Sequence, residues 1–478
     1  MKRILAVLCV AALLVGMVFG TQTFFRSKAQ EAKYSDYFDA PESYDVIFVG
    51  SSHVIMGLLP MELWKQEHIS TYNLANYNQS LQADYWMLRM LFDNRRPKLV
   101  VVDPYPIVTD HIFTDRNSEM MHGMMDQFPN SKLKREAIRD LMDGELQKEY
   151  LYPLSYSHSF WEKIDRKNFA DAKENYFYGA GSDESAFYGT PSQMIVRPYR
   201  TLGPLDSTEI DRTETVGKSY LRKIIELCRE TDTDLLFALT PFLPYDDEMK
   251  WINAIRELSE EYDVPLLDGV QLRLIDPMTD LFDYGHLNSS GARKWSKVVG
   301  RYLAENYDLP VYSSGAVFEQ WERLYAEKYL PYKLKRIKEQ SNLYNYLMLL
   351  RDEDLSVCLY LPEGSELFHD AEGLALISNL SDALSLSADV DHSPFRCVID
   401  NAEGKVFSGA FPVDTSFGRV DFDGAALRIN EEPVADWNDI PYYSAPHYAL
   451  GVLVIDNRSG EIADQAVFYK NDRGVYVK

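Results

Sequence analysis

The sequence predicts an α/β protein, in which a parallel sheet flanked by helices is followed by a mostly β domain. Two observations support this prediction. From about residue 44 to 305, short apolar runs alternate with amphipathic segments, which is typical of strands joined by crossover helices. From about residue 354 to 478, strand-like runs alternate with turn signals such as NAEG and NRSG. The length of 478 residues is enough for two or three domains.

The first 25 residues are predicted to form a membrane anchor. Lys2 and Arg3 precede an uncharged apolar run from Ile4 to Gly20, which is the layout of a secretory signal. Phe19 lies where a cleavage site needs small residues, which favours an uncleaved signal anchor over a cleaved peptide. The basic residues would stay in the cytoplasm, so the chain is predicted to be a single-pass cell-membrane protein with its bulk outside the cytoplasm.

Five strands are predicted in the first domain, residues 26–310. In chain order they are DVIFVG from Asp45, ISTYNLA from Ile69, PKLVVVDPYP from Pro97, TDLLFALTPF from Thr233 and VPLLDG from Val264. The consecutive apolar residues of the third run indicate a strand buried on both faces. Before the fourth run, apolar residues recur at helical spacing, at Tyr220, Leu221, Ile224, Ile225 and Cys228.

A long insertion, residues 106–215, separates the third and fourth predicted strands. Insertions of this length inside a sheet domain often cover or line a functional cleft, so a lid is predicted. The alternative is an accessory helical subdomain with no contact to the chemistry. Residues 311–353 are predicted to be a helical connector to the β-rich C-terminal domain, residues 354–478.

Charge and cysteine content exclude several functions. The net charge of -24 argues against nucleic-acid binding and against docking on an anionic membrane surface. No cysteine or histidine spacing indicates a metal site, and no cofactor is predicted. Cys358 and Cys397 could pair in an oxidising compartment, or they could be small buried apolar residues.

The first strand ends in Gly50, Ser51, Ser52 and His53. Functional groups collect at the carboxyl ends of strands in an open α/β sheet. A serine nucleophile needs a histidine base, and that histidine needs an orienting carboxylate. His53 itself is predicted to be either a substrate contact or a solvated turn histidine.

A base and a carboxylate are found after the fifth strand. Asp283 and His286 are three residues apart in a loop before a helix, so that the carboxylate can reach one imidazole nitrogen. Ser289 or Ser290 is expected to cap that helix.

Ser52 in GSSH, and Asp283 with His286 in DYGHLNSSG, resemble the first and last sequence blocks of the SGNH/GDSL hydrolase superfamily. The stretch HLNSSGARKWSKVVGRYL is especially similar to the final helix of that family. The resemblance implies a flavodoxin-like SGNH domain, with Ser52 as nucleophile, His286 as general base and acid, and Asp283 as the orienting carboxylate. It is nearest to the extracytoplasmic, membrane-anchored branch, which includes the D-alanyl transfer protein of teichoic acid synthesis and the alginate O-acetylation proteins.

The same resemblance bears on the oxyanion hole. The family uses a glycine N–H after strand two and an asparagine after strand three. Here NLANYNQS follows strand two, with Asn78 near the glycine position, and asparagine tolerates the left-handed conformation. Asp103 follows strand three and is a poor anion stabiliser. The backbone N–H groups of Asn78 and Ser52, helped by the side chain of Asn76 or Asn78, are therefore expected to form the hole.

The resemblance implies a serine-dependent O-acyltransferase or esterase that acts on acyl esters of a cell-surface polysaccharide through an acyl-Ser52 intermediate. A membrane-bound O-acyltransferase would be the donor partner. The alternative is a non-catalytic glycan-binding or assembly protein on the same scaffold. The C-terminal stretch HYALGVLVIDNRSGEIADQAVFYKN is similar to interleukin-like β domains, which implies a carbohydrate- or protein-binding module, or else a packing domain without a ligand.

Overall fold

A computed structural model describes most of the chain. The described residues are 2–25, 33–34, 37, 44–93, 95–108, 125, 128, 131–144, 146–151, 166–167, 169–170, 173, 195–199, 203, 205–386, 393–439, 448–471 and 473–478.

A five-stranded parallel sheet lies at the centre of the first domain, in the order β2-β1-β3-β4-β5. Its strands are β1 Val46–Val49, β2 Thr71–Asn73, β3 Leu99–Val102, β4 Asp234–Leu239 and β5 Leu266–Asp268. Strand β1 pairs with both neighbours, Val46 lying opposite Thr71 on one side and Leu99 on the other. The predicted parallel sheet and all five of its strands are confirmed.

Helices cover both faces of this sheet, because successive side chains of a strand point to opposite faces. Ile47 and Val49 of β1 enter one hydrophobic cluster, and Val46 and Phe48 enter the other. The helices of the domain are α2 Ser52–Gly57, α3 Pro60–Glu67, α4 Leu81–Phe92, α5 Lys132–Leu141, α6 Leu146–Leu151, α7 Val216–Glu230, α8 Asp246–Glu261 and α9 Ser289–Asn306.

The strand order reverses at β1, which pairs with β2 on one side and with β3 on the other. In doubly wound sheets, the crevice outside the carboxyl ends of the strands at such a reversal is where ligands bind. Ser52 begins α2 three residues after Val49, the end of β1. The topology therefore places Ser52 at this crevice.

Helix α5 of the insertion packs against helices of the first domain. Asp140 of α5 accepts hydrogen bonds from the Trp86 indole at 2.6 Å, the Gln82 amide at 3.4 Å and the Tyr220 hydroxyl. These contacts join α5 to α4 and α7. Another part of the insertion lies near the predicted site, because the Arg197 and Tyr199 N–H groups donate to the carbonyls of Leu281 and Pro277, in the segment before Asp283. Much of the insertion lies outside the described residues, so the lid and the accessory subdomain both stay predictions.

Helices connect the two domains within residues 311–353. They are α10 Ala316–Leu324, a π-helical turn Tyr325–Tyr329, α11 Leu330–Glu339 and α12 Leu343–Leu350. Beyond them, two antiparallel sheets of six and four strands form the β-rich region. Its strands are β6 Leu355–Leu361, β7 Phe395–Asp400, β8 Lys405–Ser408, β9 Val413–Thr415, β10 Gly418–Asp423, β11 Ala426–Ile429, β12 Glu432–Asp436, β13 Tyr448–Asp456, β14 Ile462–Lys470 and β15 Tyr476–Val477, and helix α13 spans Ala371–Ser378.

Cys358 and Cys397 are free, buried thiols in this region. They lie on adjacent strands, with Cys358 opposite Val398 and Leu359 opposite Cys397. Their side chains enter different hydrophobic clusters, on opposite faces of the six-stranded sheet. This arrangement agrees with the interpretation of both cysteines as small buried apolar residues. Burial raises the pKa of the Cys397 thiol to about 12, which makes it a poor nucleophile.

A buried junction cluster of charged side chains joins the first domain, the connector and the β-rich region. It contains Glu62, Lys65, Arg293, Lys333, Asp352 and Asp354. The Lys333 Nζ lies 2.6 Å from Asp354 Oδ2, 2.8 Å from Asp352 Oδ2 and 3.4 Å from Glu62 Oε1. Three cations face three carboxylates, so the cluster is electrically balanced.

The N-terminal helix α1 spans Lys2–Phe25. Among the helices of the described residues, none is both long enough and apolar enough to cross a bilayer.

Candidate active site

The turn after β1 presents Ser52 in a tight backbone bend. Gly50 has a φ of +145°, which favours glycine, and a Cβ there would come within 2.7 Å of Val54 Cγ2 and 3.2 Å of Asp103 Cβ. Ser51 caps α2, because its Oγ accepts the His53 backbone N–H at 3.5 Å. Ser51 is buried, whereas Ser52 is half-buried, so the turn directs the second serine towards the crevice.

Ser52, His286 and Asp283 form a connected hydrogen-bond chain. The Ser52 Oγ lies 2.8 Å from His286 Nε2, across 234 residues of sequence. The His286 Nδ1 lies 2.8 Å and 3.0 Å from the two carboxylate oxygens of Asp283. An Nδ1–H that donates to this carboxylate leaves the Nε2 lone pair to accept the serine proton. This is the arrangement that activates a serine nucleophile.

The loop that carries Asp283 and His286 is held by its own hydrogen bonds. The Phe282 N–H donates to the His286 carbonyl at 2.9 Å, and the Gly285 N–H donates to Asp283 Oδ1 at 2.9 Å. The Gly285 bond fixes the carboxylate in the orientation in which it receives the imidazole. The triad geometry therefore depends on local backbone contacts.

Helix α9 after this loop begins with a cap that was not predicted. Asn288 Oδ1 accepts the N–H groups of Ser290 at 3.0 Å and Gly291 at 3.2 Å, and its amide donates to the Thr279 carbonyl at 2.8 Å. The expectation that Ser289 or Ser290 caps the helix is wrong, because both serines lie inside it. Asparagine is as good a cap as serine, and its amide also closes the preceding loop.

The asparagine loop after β2 adjoins the nucleophile turn. The Asn76 N–H donates to the Gly50 carbonyl at 3.2 Å, and the Asn76 carbonyl accepts the Gln79 N–H at 3.2 Å. Asn78, at the turn of this loop, has a φ of +54°, so the left-handed conformation expected of it is present. The loop is thus tied to the residues that present Ser52, and its part in an oxyanion hole stays a prediction.

Asp103, at the end of β3, has a structural role. Its side chain is 1% exposed, and its carboxylate oxygens accept the backbone N–H groups of Tyr105 at 2.9 Å and Thr240 at 3.3 Å. Burial raises the pKa of Asp103 to about 6 although these two bonds lower it. Both oxygens serve the backbone, in keeping with the expectation that Asp103 is a poor anion stabiliser.

Asp84 of α4 is a second buried carboxyl near this turn. It is fully buried, and Gln79 donates to its Oδ1 at 2.5 Å. Burial, together with the nearby charge of Asp103, raises the pKa of Asp84 from 3.8 to about 7. Between these two pKa values, the folded chain therefore keeps a proton on Asp84 that the unfolded chain loses.

Asp84 should make stability fall as the pH rises. Between pH 4 and 7 the unfolded chain binds fewer protons than the folded chain, so the free energy of unfolding decreases through this window. Each unit of pKa difference is worth about 1.4 kcal/mol, so the loss attributable to Asp84 is up to about 4 kcal/mol. Urea unfolding at pH 5 and at pH 8 measures this effect. From pH 5 to pH 8, the free energy of unfolding should decrease less in Asp84→Asn than in the wild type. The exposed Asp93, at the end of the same helix, gives the control Asp93→Asn, and parallel pH curves for the wild type and Asp84→Asn would contradict the prediction.

His53 lies in an aromatic pocket beside the triad. It is 2% exposed, so the prediction of a solvated turn histidine is wrong. Its ring lies 3.6 Å from the Tyr105 ring, 5.4 Å from that of Phe242 and 5.1 Å from that of His286, measured between centroids. Burial, with a smaller contribution from His286, lowers the pKa of His53 well below its ordinary value, so the ring is neutral. Local sequence could not show this burial, because Tyr105 and Phe242 come from the ends of other strands.

A cleft of about 820 Å³ lies away from the triad. It is found between α9 and the β-rich region, with Lys297, Arg301, Glu353 and Asp382 among its lining residues. Neither Ser52 nor the Asp283–His286 loop lines it. We assign the candidate chemistry to the triad, because hydrogen-bond geometry defines a reactive serine and cavity size does not.

Within the residues that the structure describes, no group of three or more histidine, cysteine or acidic side chains could hold a metal ion. No protein-family model matches the chain, and no curated protein sequence matches it significantly.

Proposed function

We propose that this chain is a serine-dependent acyltransferase or esterase of the SGNH type, with a flavodoxin-like catalytic domain. The observation that carries the proposal is the continuous hydrogen-bond chain from Ser52 through His286 to Asp283. The position of Ser52 at the reversal of the strand order supports it. The proposed substrates are acyl esters of a cell-surface polysaccharide, as the resemblance of the GSSH and DYGHLNSSG motifs implies.

Acylation would begin with attack of the Ser52 Oγ on the acyl carbonyl carbon. As the O–C bond forms, the serine proton passes to His286 Nε2 and the carbonyl π pair moves onto oxygen. Collapse of this oxyanion re-forms the carbonyl and breaks the bond to the donor oxygen, which takes the proton from His286. Asp283 stabilises the imidazolium throughout and is not protonated.

Deacylation would repeat these steps with a second nucleophile. A sugar hydroxyl attacks the acyl-Ser52 carbonyl in a transferase, and water attacks it in an esterase. In both cases His286 takes the proton of the nucleophile and returns it to Ser52 Oγ, which restores the free enzyme. The predicted anchor favours transfer, because a tethered enzyme can receive acyl groups from a membrane-bound O-acyltransferase.

The alternative is a glycan-binding or assembly protein that uses the scaffold without chemistry. That alternative would be favoured by a Ser52 Oγ out of reach of the His286 ring. The 2.8 Å separation between Ser52 Oγ and His286 Nε2 supports the catalytic function instead.

A reactive serine should be labelled by a fluorophosphonate probe, and the labelling should depend on Asp283. In Asp283→Asn the imidazole loses its orienting acceptor, so we expect labelling at Ser52 to slow by about 10³–10⁴-fold. Peptide mass spectrometry locates the adduct, and gel fluorescence gives the rate, with Ser52→Ala as the unlabelled control. Equal labelling rates for Asp283→Asn and the wild type would refute the triad.

A further inference from the structure

A rigid side-chain donor would add to the backbone N–H groups of Ser52 and Asn78 that are expected to form the oxyanion hole. The carboxyl of Asp103, which stands at the end of β3, accepts two backbone N–H groups and cannot donate while ionised. The Asn76 Oδ1 accepts the Tyr77 N–H at 2.9 Å, which ties that side chain to its own loop, and its amide nitrogen still carries two N–H donors. A developing negative charge on the acyl oxygen at Ser52 needs hydrogen-bond donors close to it.

His53 carries a nitrogen that the fold leaves unused. Its Nδ1 is buried and has no hydrogen-bond partner among the described residues. A proton on this enclosed nitrogen would be an unsatisfied donor, at a cost of about 1–3 kcal/mol. We assign the single proton of the neutral ring to Nε2, which makes Nε2–H a donor.

The Nε2 of His53 lies near the loop that carries Asp283 and His286. A Cβ built on Gly285 would lie 3.8 Å from His53 Nε2 and 3.6 Å from Asp283 Oδ1. The absence of a side chain at Gly285 thus leaves space between this nitrogen and the triad. The His53 ring also meets the His286 ring edge to face at 5.1 Å, and it is the His286 ring that holds the Ser52 Oγ.

The aromatic pocket holds the ring of His53 in place. Tyr105 stacks on His53, and Trp251 meets Tyr105 at 5.2 Å and Phe242 at 6.1 Å between ring centroids. A donor held this way pays no reorganisation cost when charge develops, which is the property that makes an oxyanion-hole donor effective.

We infer that His53 donates a hydrogen bond from Nε2 to the acyl oxygen at Ser52, as the side-chain donor of the oxyanion hole. The inference rests on the proposed function. As the Ser52 Oγ bonds to the carbonyl carbon, the carbonyl electron pair moves onto oxygen and the Nε2–H hydrogen bond shortens. The His53 proton is not transferred, and the serine proton goes to His286. Collapse of the intermediate returns the electron pair to the carbonyl and weakens the bond to His53.

The test compares His53→Phe with His53→Gln. Phenylalanine keeps the ring stack on Tyr105 and removes both nitrogens, whereas glutamine keeps an N–H donor. With p-nitrophenyl acetate as the probe, kcat of His53→Phe should fall by about 10²–10³-fold with KM little changed. The kcat of His53→Gln should be at least about tenfold higher than that of His53→Phe, because glutamine keeps an N–H donor. A kcat of His53→Phe equal to that of the wild type would overturn the inference.

A measurement on the unaltered chain covers the case in which the variants do not fold. With imidazole nitrogens labelled with ¹⁵N, the Nε2–H resonance of His53 should move downfield when a phosphonate adduct forms on Ser52. The adduct is tetrahedral, and its polarised phosphoryl oxygen, which is a strong hydrogen-bond acceptor, takes the place of the oxyanion. An unchanged resonance in a fully labelled adduct would overturn the inference.

The two proposals fail separately. Loss of turnover in Ser52→Ala with normal turnover in His53→Phe would remove only the role of His53. Normal turnover in Ser52→Ala would remove the proposed function and the role of His53 with it.

Discussion

Replacement of Ser52 by alanine is expected to lower acyl-ester turnover by about 10⁴–10⁶-fold, the range found when the nucleophile of a serine triad is removed. The physical reason is that alanine removes the Ser52 Oγ, the oxygen that lies 2.8 Å from the proposed base, His286 Nε2, and that would form the acyl-enzyme bond. Release of p-nitrophenol from its acetate ester measures hydrolysis. Acetyl incorporation into a purified polysaccharide measures transfer.

Ser51 provides the matched control for this experiment. It has the same hydroxyl one residue earlier, but its Oγ caps α2 by accepting the His53 N–H. Ser51→Ala should cost about 0.5–2 kcal/mol of stability through the lost cap and should keep turnover within about tenfold of the wild type. If Ser51→Ala were inactive and Ser52→Ala active, the nucleophile would be the other serine.

Replacement of Lys333 by methionine is expected to lower the free energy of unfolding by about 3–5 kcal/mol. Lys333 is 6% exposed and contacts three carboxylates of the junction cluster, Glu62, Asp352 and Asp354. Burial by itself would lower the pKa of Lys333, but the charges of Asp352 and Glu62 hold it well above its ordinary value. Methionine fills a similar volume and leaves one buried negative charge uncompensated.

The control for this prediction lies on the same helix. Lys335 pairs with Glu339 at 3.8 Å, but its side chain is 72% exposed, so Lys335→Met should change stability by less than about 0.5 kcal/mol. Urea unfolding followed by tryptophan fluorescence and by circular dichroism measures both variants. Because the cluster joins both domains, Lys333→Met should shift the unfolding transition to lower urea in both signals. Equal midpoints for Lys333→Met and Lys335→Met would contradict the prediction.

The predicted strands agree with the structure because their signal is local. Val46 to Val49 and Leu99 to Val102 are continuous apolar runs, and all eight residues are buried, as expected for strands covered on both faces. The pairing of Ser52 with Asp283 and His286 could also be predicted from the sequence, because each lies in a recognisable motif that follows a predicted strand.

Other features could not be predicted, because they depend on residues distant in the chain. His53 looked like a turn residue, and it is buried by Tyr105 and Phe242, which follow two other strands. The charge balance of the junction cluster could not be predicted either, because Glu62, Arg293 and Lys333 lie on three different helices that are far apart in the chain.

Periodicity and turn chemistry act over a few residues, so the strand-forming apolar runs and the motifs of Ser52, Asp283 and His286 can be recognised in the sequence. The separation of 2.8 Å between Ser52 Oγ and His286 Nε2, and the burial of a neutral His53 beside them, depend on the tertiary structure. The Ser52–His286 distance and the burial of His53 depend on which strand ends lie side by side in the sheet. The packing of the whole domain determines that arrangement.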